Sequence, residues 1–138
     1  EKNVELFRRR LNDNCTLTEQ DLIPKIMIDV PMPISYLSKK LTEQLKVLEP
    51  FGKGNSKPLF AQKNLRAVGI RVLGRNRNVA KMLLIDENGI KMDAVYFGEA
   101  QEFVDFVQAH DTISVTYYPE INVFQGRENL QVVIKNYC

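Results

Sequence analysis

A mainly β domain carried behind a helical N-terminal third is predicted by three observations. Apolar residues recur at helical spacing up to Leu48, they alternate with a period of two from Leu65 onward, and the two habits meet at a stretch rich in proline and glycine, Leu48 to Phe60. With 138 residues of which 44% are hydrophobic, the chain can bury one core with a short appendage, but hardly two full domains. No uninterrupted apolar run approaches the ~18 residues of a membrane span, and no basic, apolar leader opens the sequence. A soluble, cytoplasmic setting with no membrane partner is therefore expected. Cys15 and Cys138 lie far apart without metal-ligand spacing, which predicts free thiols and neither a disulfide framework nor a metal centre. The start at Glu1, without methionine and directly on a helical pattern, suggests a piece of a longer polypeptide.

From the N-terminus, Val4, Phe7 and Leu11 form one apolar stripe over Glu1 to Asn14, an amphipathic helix whose Arg8, Arg9 and Arg10 lie largely off the stripe. Such a charge run is more often a solvated face than a nucleic-acid patch. Thr18 to Asp21 reads as a polar turn and Ile26 to Val30 as a short strand closed by Pro31 and Pro33. A second helix begins near Ser35 or Ser38, either of which can cap it, and carries Leu37, Leu41, Leu45 and Leu48 on one side. Pro50 stops that helix at or before Glu49, because it lacks the N–H and its ring clashes with the preceding turn. Phe51 and Phe60 bracket the polar stretch that follows, which predicts an ordered elbow pinned to a core.

Beyond the elbow, Val68, Ile70 and Val72 alternate in a strand over Leu65 to Leu73 that points this set inward. Gly74 to Asn78 is turn chemistry, and Val79 to Ile85 forms the next strand. Asn88-Gly89 predicts a type I′ hairpin leading into a third strand, Ile90 to Phe97. Gly98 ends that strand, and Glu99 to Gln108 reads as a short acidic helix. Ile113, Val115 and Tyr117 mark a fourth strand; after Pro119 to Gly126, Leu130, Val132 and Ile134 mark a fifth. Five strands with a helix between the third and fourth have the order of an OB-fold, a partly open barrel that binds oligonucleotides and oligosaccharides. Other small barrels share parts of this order, and the fold alone fixes no function.

The charges are unevenly spread although the net charge is only +2. Pro50 through Ile85 holds Lys53, Lys57, Lys63, Arg66, Arg71, Arg75, Arg77 and Lys81 without one acid, whereas Met92 through Gly126 holds six acids without one Lys or Arg. This predicts a basic and an acidic side. OB domains present their second and third strands and their first and last hairpin loops to the ligand. The first hairpin carries Arg75 and Arg77, with Arg71 and Lys81 on its strands, and the last hairpin contributes Phe124 and Arg127. Lys53 and Lys57 stand at the entrance to the barrel. These cations would neutralise phosphates, and rings such as Tyr118 and Phe124 would stack bases. Tyr117, in phase with Ile113 and Val115, reads as core, and Tyr96 is open between the two roles.

No catalytic or metal-binding constellation is evident. His110 is the sole histidine and sits between a helix and a strand, where a solvated turn residue is the commoner role. Gly52-Lys53-Gly54-Asn55 lacks the spacing of a phosphate loop and follows a helix where that loop follows a strand.

The phrase Leu48-Glu49-Pro50-Phe51-Gly52-Lys53-Gly54-Asn55 with Pro58-Leu59-Phe60 resembles the elbow of RecJ-type single-stranded-DNA-specific exonucleases. The likeness extends to Leu17-Thr18-Glu19 with Asp21-Leu22-Ile23-Pro24, to Asp93 through Gly98, to Tyr117-Tyr118-Pro119 and to Leu130 through Lys135. Enzymes of this family carry a DHH phosphoesterase domain, a DHHA1 domain and an OB-fold, and degrade single strands 5′ to 3′ with a divalent metal, manganese or magnesium. The resemblance implies that residues 1–30 are the tail of the DHHA1 domain, 31–60 a connector helix and elbow, and 61–138 the OB domain. It further implies single-stranded DNA, the remainder of the parent enzyme and other repair proteins as partners, in DNA repair and recombination. The Asp-His-His signature and the glycine-rich histidine motif are both missing, so no catalytic residue, metal ligand or cofactor is carried over, and Ser56 departs from the proline expected after Asn55. The competing expectation is a protein-interaction or architectural barrel that recruits a partner through Glu99, Glu102 and Asp105 and does not touch DNA.

Overall fold

The structure is a computed structural model that describes residues 2–18, 21, 23 and 25–138. Helix α1 spans Lys2–Asp13 and leaves its predicted stripe, Val4, Phe7 and Leu11, exposed. Of the polar turn expected next, Glu19 and Gln20 lie outside the described residues, as do Leu22 and Pro24; the Asp21 carboxylate accepts the Thr18 backbone N–H at 2.8 Å and its hydroxyl at 2.7 Å.

The strand expected over Ile26 to Val30 shrinks to β1, Val30–Pro31. This short piece runs parallel to the start of β2, Phe60–Leu73, and is held by the Asp29 and Met32 N–H groups donating to Leu59 and Ala61. Pro31 and Pro33 have no N–H with which to lengthen the ladder. Ser38 caps α2, Lys39–Leu45, its hydroxyl accepting from the Leu41 N–H at 3.1 Å. Leu37 joins the core, Leu41 and Leu45 pack partly against it, and Leu48 falls off the stripe into solvent as the helix tightens into a 3-10 turn over Lys46–Leu48. The Asn55 side-chain amide then ties the elbow together, donating to the Leu48 and Pro50 carbonyls at 2.8 and 2.9 Å.

The barrel comprises β2, β3 (Val79–Ile85), β4 (Lys91–Phe97), β5 (Ile113–Phe124) and β6 (Arg127–Tyr137), with α3 (Ala100–Ala109) between β4 and β5. Neighbours run β2-β3-β4-β6-β5, and β5 returns to β2 to close the ring; β4–β6 is parallel and the other barrel pairs are antiparallel. This is the strand order of an OB-fold. Leu65, Leu84, Phe103, Tyr117, Val132 and Ile134 lie at its centre, and the Tyr117 hydroxyl donates to the Met32 carbonyl at 2.6 Å.

Three local expectations are corrected. Val68 is 39% exposed and does not point inward, because a bulge between Val68 and Arg71, with Gly69 at φ 63°, reverses the phase; Leu65 and Ala67 face the core before it, and Ile70 and Val72 after it. The Asn88-Gly89 hairpin is not type I′. The Asp86 carboxylate accepts the Asn88 and Ile90 N–H groups at 2.9 and 2.8 Å, and only Gly89 takes positive φ, which makes a three-residue loop. The type I′ turn lies instead at Gln125-Gly126, φ 50° and 74°, because β5 continues through Pro119 to Phe124. Pro119 fits within a strand there since the β2–β5 ladder ends at Phe60–Tyr117, leaving β6 as the only neighbour.

Candidate nucleic-acid interface

The outward faces of β2 to β6 align one continuous row. Arg71 stands opposite Lys81, Lys81 opposite Val95, Val95 opposite Val133, and Val133 opposite Tyr118. Arg71 and Lys81 are exposed. The bulge at Gly69 sets this register, since without it Arg71 would fall on the core face. Val95 and Val133, at 6% and 8% exposure, form an apolar floor that belongs to no part of the central core cluster.

Above Arg71 and Lys81, the first hairpin turns at Gly74–Asn78 with Arg77 at φ 52°. Arg75 is exposed there, and the Arg77 guanidinium reaches Gln101 on α3 at 3.4 Å. At the far rim, Phe124 and Arg127 face each other across the type I′ turn, and Phe124 is 65% exposed. Lys53 occupies the exposed turn in which Gly52 and Asn55 exchange both backbone hydrogen bonds. Among the described residues the one ion pair joins Lys39 to Glu128 at 3.4 Å. Lys53, Lys57, Arg71, Arg75, Arg77, Lys81 and Arg127 thus have no described carboxylate in ion-pair contact.

Tyr118 is not the open stacking surface expected of it. It points outward, yet is only 7% exposed, because the elbow lies on it: the Phe51 ring meets it edge-on at 6.1 Å and the Lys57 ammonium sits 4.7 Å from its centroid. Burial first, then the carboxylates of Glu49 and Glu120, push its hydroxyl above the ordinary tyrosine range. Tyr117 is core, its acidity also lowered by burial, and Tyr96 is half-buried against Phe103 with ring centroids 4.8 Å apart.

Two residues escaped the sequence reading. Phe97 ends β4 on the outward face opposite Val79, which in turn faces Leu73, so an exposed ring stands at the base of the first hairpin. Its phase, opposite to Met92, Ala94 and Tyr96, is the signal that finds it. Lys135 is the other, and its position depends on a bulge that leaves no mark in the alternation. His110 is stacked on Phe106 at 4.2 Å with Nδ1 2.8 Å from the Phe106 carbonyl, and among the described residues no group of three or more His, Cys, Asp and Glu side chains gathers.

Comparison with known proteins gives two findings. The family model described as RecJ OB domain matches residues 28–136, a span that takes in α2 and the elbow as well as the barrel. The single-stranded-DNA-specific exonuclease RecJ of Bacillus subtilis (strain 168) is 28% identical over 137 residues, which cover 98% of this chain but only 17% of that protein.

Proposed function

Since the chain belongs to the RecJ OB domain family, we propose that it is a single-strand-binding module of a RecJ-type 5′ to 3′ exonuclease. In this role it supplies affinity and a path for the strand, while hydrolysis with manganese or magnesium belongs to a DHH domain outside it and residues 1–30 end the DHHA1 domain. Its setting is cytoplasmic DNA repair and recombination. One observation carries the reading: Arg71 and Lys81, two exposed cations, stand directly opposite each other in register. Like charges so placed destabilise a sheet, and a polyanion crossing the pair converts that repulsion into binding. Arg75 and Arg77 extend the same cationic strip, and Phe97 and Phe124 offer exposed rings for bases.

Salt-titrated binding of a labelled oligothymidylate tests this. Arg75→Ala with Arg77→Ala should lower the slope of log affinity against log salt by about 1.4, at roughly 0.7 per phosphate contact on single strands. An unchanged slope in a normally folded variant would remove the hairpin from the interface. The reading as an interaction or architectural module is favoured by a separate observation, an open, mainly apolar cleft of about 770 Å³ lined by Ile26, Ile28, Met32, Val115 and Tyr137 among others. Absence of any length- or salt-dependent binding in the same titration would support that reading over DNA contact.

A further inference from the structure

We propose that Ser56, Lys57 and Lys135, gathered beside the covered ring of Tyr118, form a phosphate-binding pocket that holds the single-stranded backbone at the far end of the row begun by Arg71 and Lys81. This deepens the single-strand reading and rests on it.

The pocket is an open depression of about 290 Å³ where the elbow meets β5 and β6, with Met27 and Asp29 also in its lining. Simple alternation makes Lys135 an ordinary outward residue of β6. The register makes it something else. Tyr117 pairs with Ile134 and Thr116 with Asn136, so Lys135 is the extra residue of a bulge. Bulges disrupt the ladder and re-aim a side chain, and this one is pinned from within. The buried Thr116 hydroxyl accepts both the Asn136 backbone N–H, at 3.1 Å, and the Asn136 side-chain amide, at 2.8 Å. The bulge leaves Lys135 in the lining that Lys57 shares.

Lys57 is itself positioned, its ammonium 4.7 Å from the Tyr118 centroid and 5.7 Å from that of Phe51. Contact with the rings restrains the long side chain while leaving N–H donors for a ligand. The Asp29 carboxylate already accepts the Leu59 N–H at 2.8 Å, which leaves two lysines against one engaged acid in the lining. Glu49 and Glu120 act on Tyr118 but do not line the cavity. A tetrahedral anion with a backbone on either side meets two ammonium groups and a hydroxyl.

The test uses the whole chain, oligothymidylate as probe, and salt titration of Lys135→Gln, Lys135→Arg and Lys40→Gln, with the Arg75 and Arg77 double variant run alongside. Lys135→Gln should lower the salt slope by about 0.7, Lys135→Arg should retain it, and Lys40→Gln, which removes an equal charge from α2, should leave it unchanged. An unchanged slope in Lys135→Gln, or an equal loss in Lys40→Gln, overturns the pocket. If the double variant still lowers the slope, the pocket alone fails; if neither variant changes it, the single-strand reading fails with it.

Discussion

The two ends of the outward row differ in what lies over them. At one end Arg71 and Lys81 face solvent without a described counter-ion, and at the other Tyr118 lies beneath Phe51 and Lys57. Both ends point away from the core, and strand alternation treats them alike. What separates them is a chain segment from sixty residues or so up the sequence, which is laid over one end only. Outward direction and availability to a ligand are therefore separate properties, and the elbow decides the second.

Substitutions of the buried rings that seat the elbow should register in stability, and those of the exposed cations in binding. The largest effect is expected from Phe60→Ala, which removes a buried ring packed on Tyr117 at 6.0 Å where the elbow enters the barrel. A loss of about 3–5 kcal/mol in denaturant unfolding follows from ring deletion in a core. A loss below 1 kcal/mol would mean that the elbow is not anchored there.

Next is Tyr117→Phe, which strands the Met32 carbonyl and should cost about 1–3 kcal/mol. This effect has a pH signature. Burial holds the hydroxyls of Tyr117, Tyr118 and Tyr137 above the ordinary value of 10.0, so above that pH the unfolded chain gives up protons that the folded chain keeps. Their contribution is complete below about pH 10 and declines as the pH rises past it. Urea unfolding at pH 8 and pH 11 should show falling stability, with a smaller fall in Tyr117→Phe; equal falls in both would contradict the assignment. The smallest expected effect is at the open end. Arg71→Ala relieves the like-charge pair and should raise stability by about 0.2–1 kcal/mol while lowering the oligothymidylate salt slope by about 0.7. Lost stability with unchanged binding would reverse the distinction between the ends.

The strands and α3 were legible because their apolar residues keep one period between clear breakers. Val79–Ile85 appears with its predicted bounds, and α3 is displaced by one residue. Legibility failed where one residue changes the phase. Gly69 and Lys135 are each absorbed by a bulge, and a bulge depends on the partner strand, which local alternation does not contain. The turns failed for a related reason. Asn88-Gly89 has the composition of a type I′ turn, but the Asp86 carboxylate captures two backbone N–H groups and selects another loop, whereas Gln125-Gly126 becomes type I′ because both strands continue to its edges. Within the candidate site, the cations and Phe124 were visible as charge and position. The burial of Tyr118 was not, because its cover comes from the elbow.

The length of β2 carries a consequence for how the chain reaches this state. Its first residues pair with β5 and its later ones with β3, while β4 finds its second neighbour only in β6. During synthesis the β2–β3–β4 meander can assemble from neighbours in sequence, but the ring stays open until β5 and β6 have emerged. The two halves of one strand therefore mature at different times. The row from Arg71 to Tyr118 exists only after the β5–β6 hairpin has closed it, so any capacity to hold a strand along that row arrives only once β6 has been made.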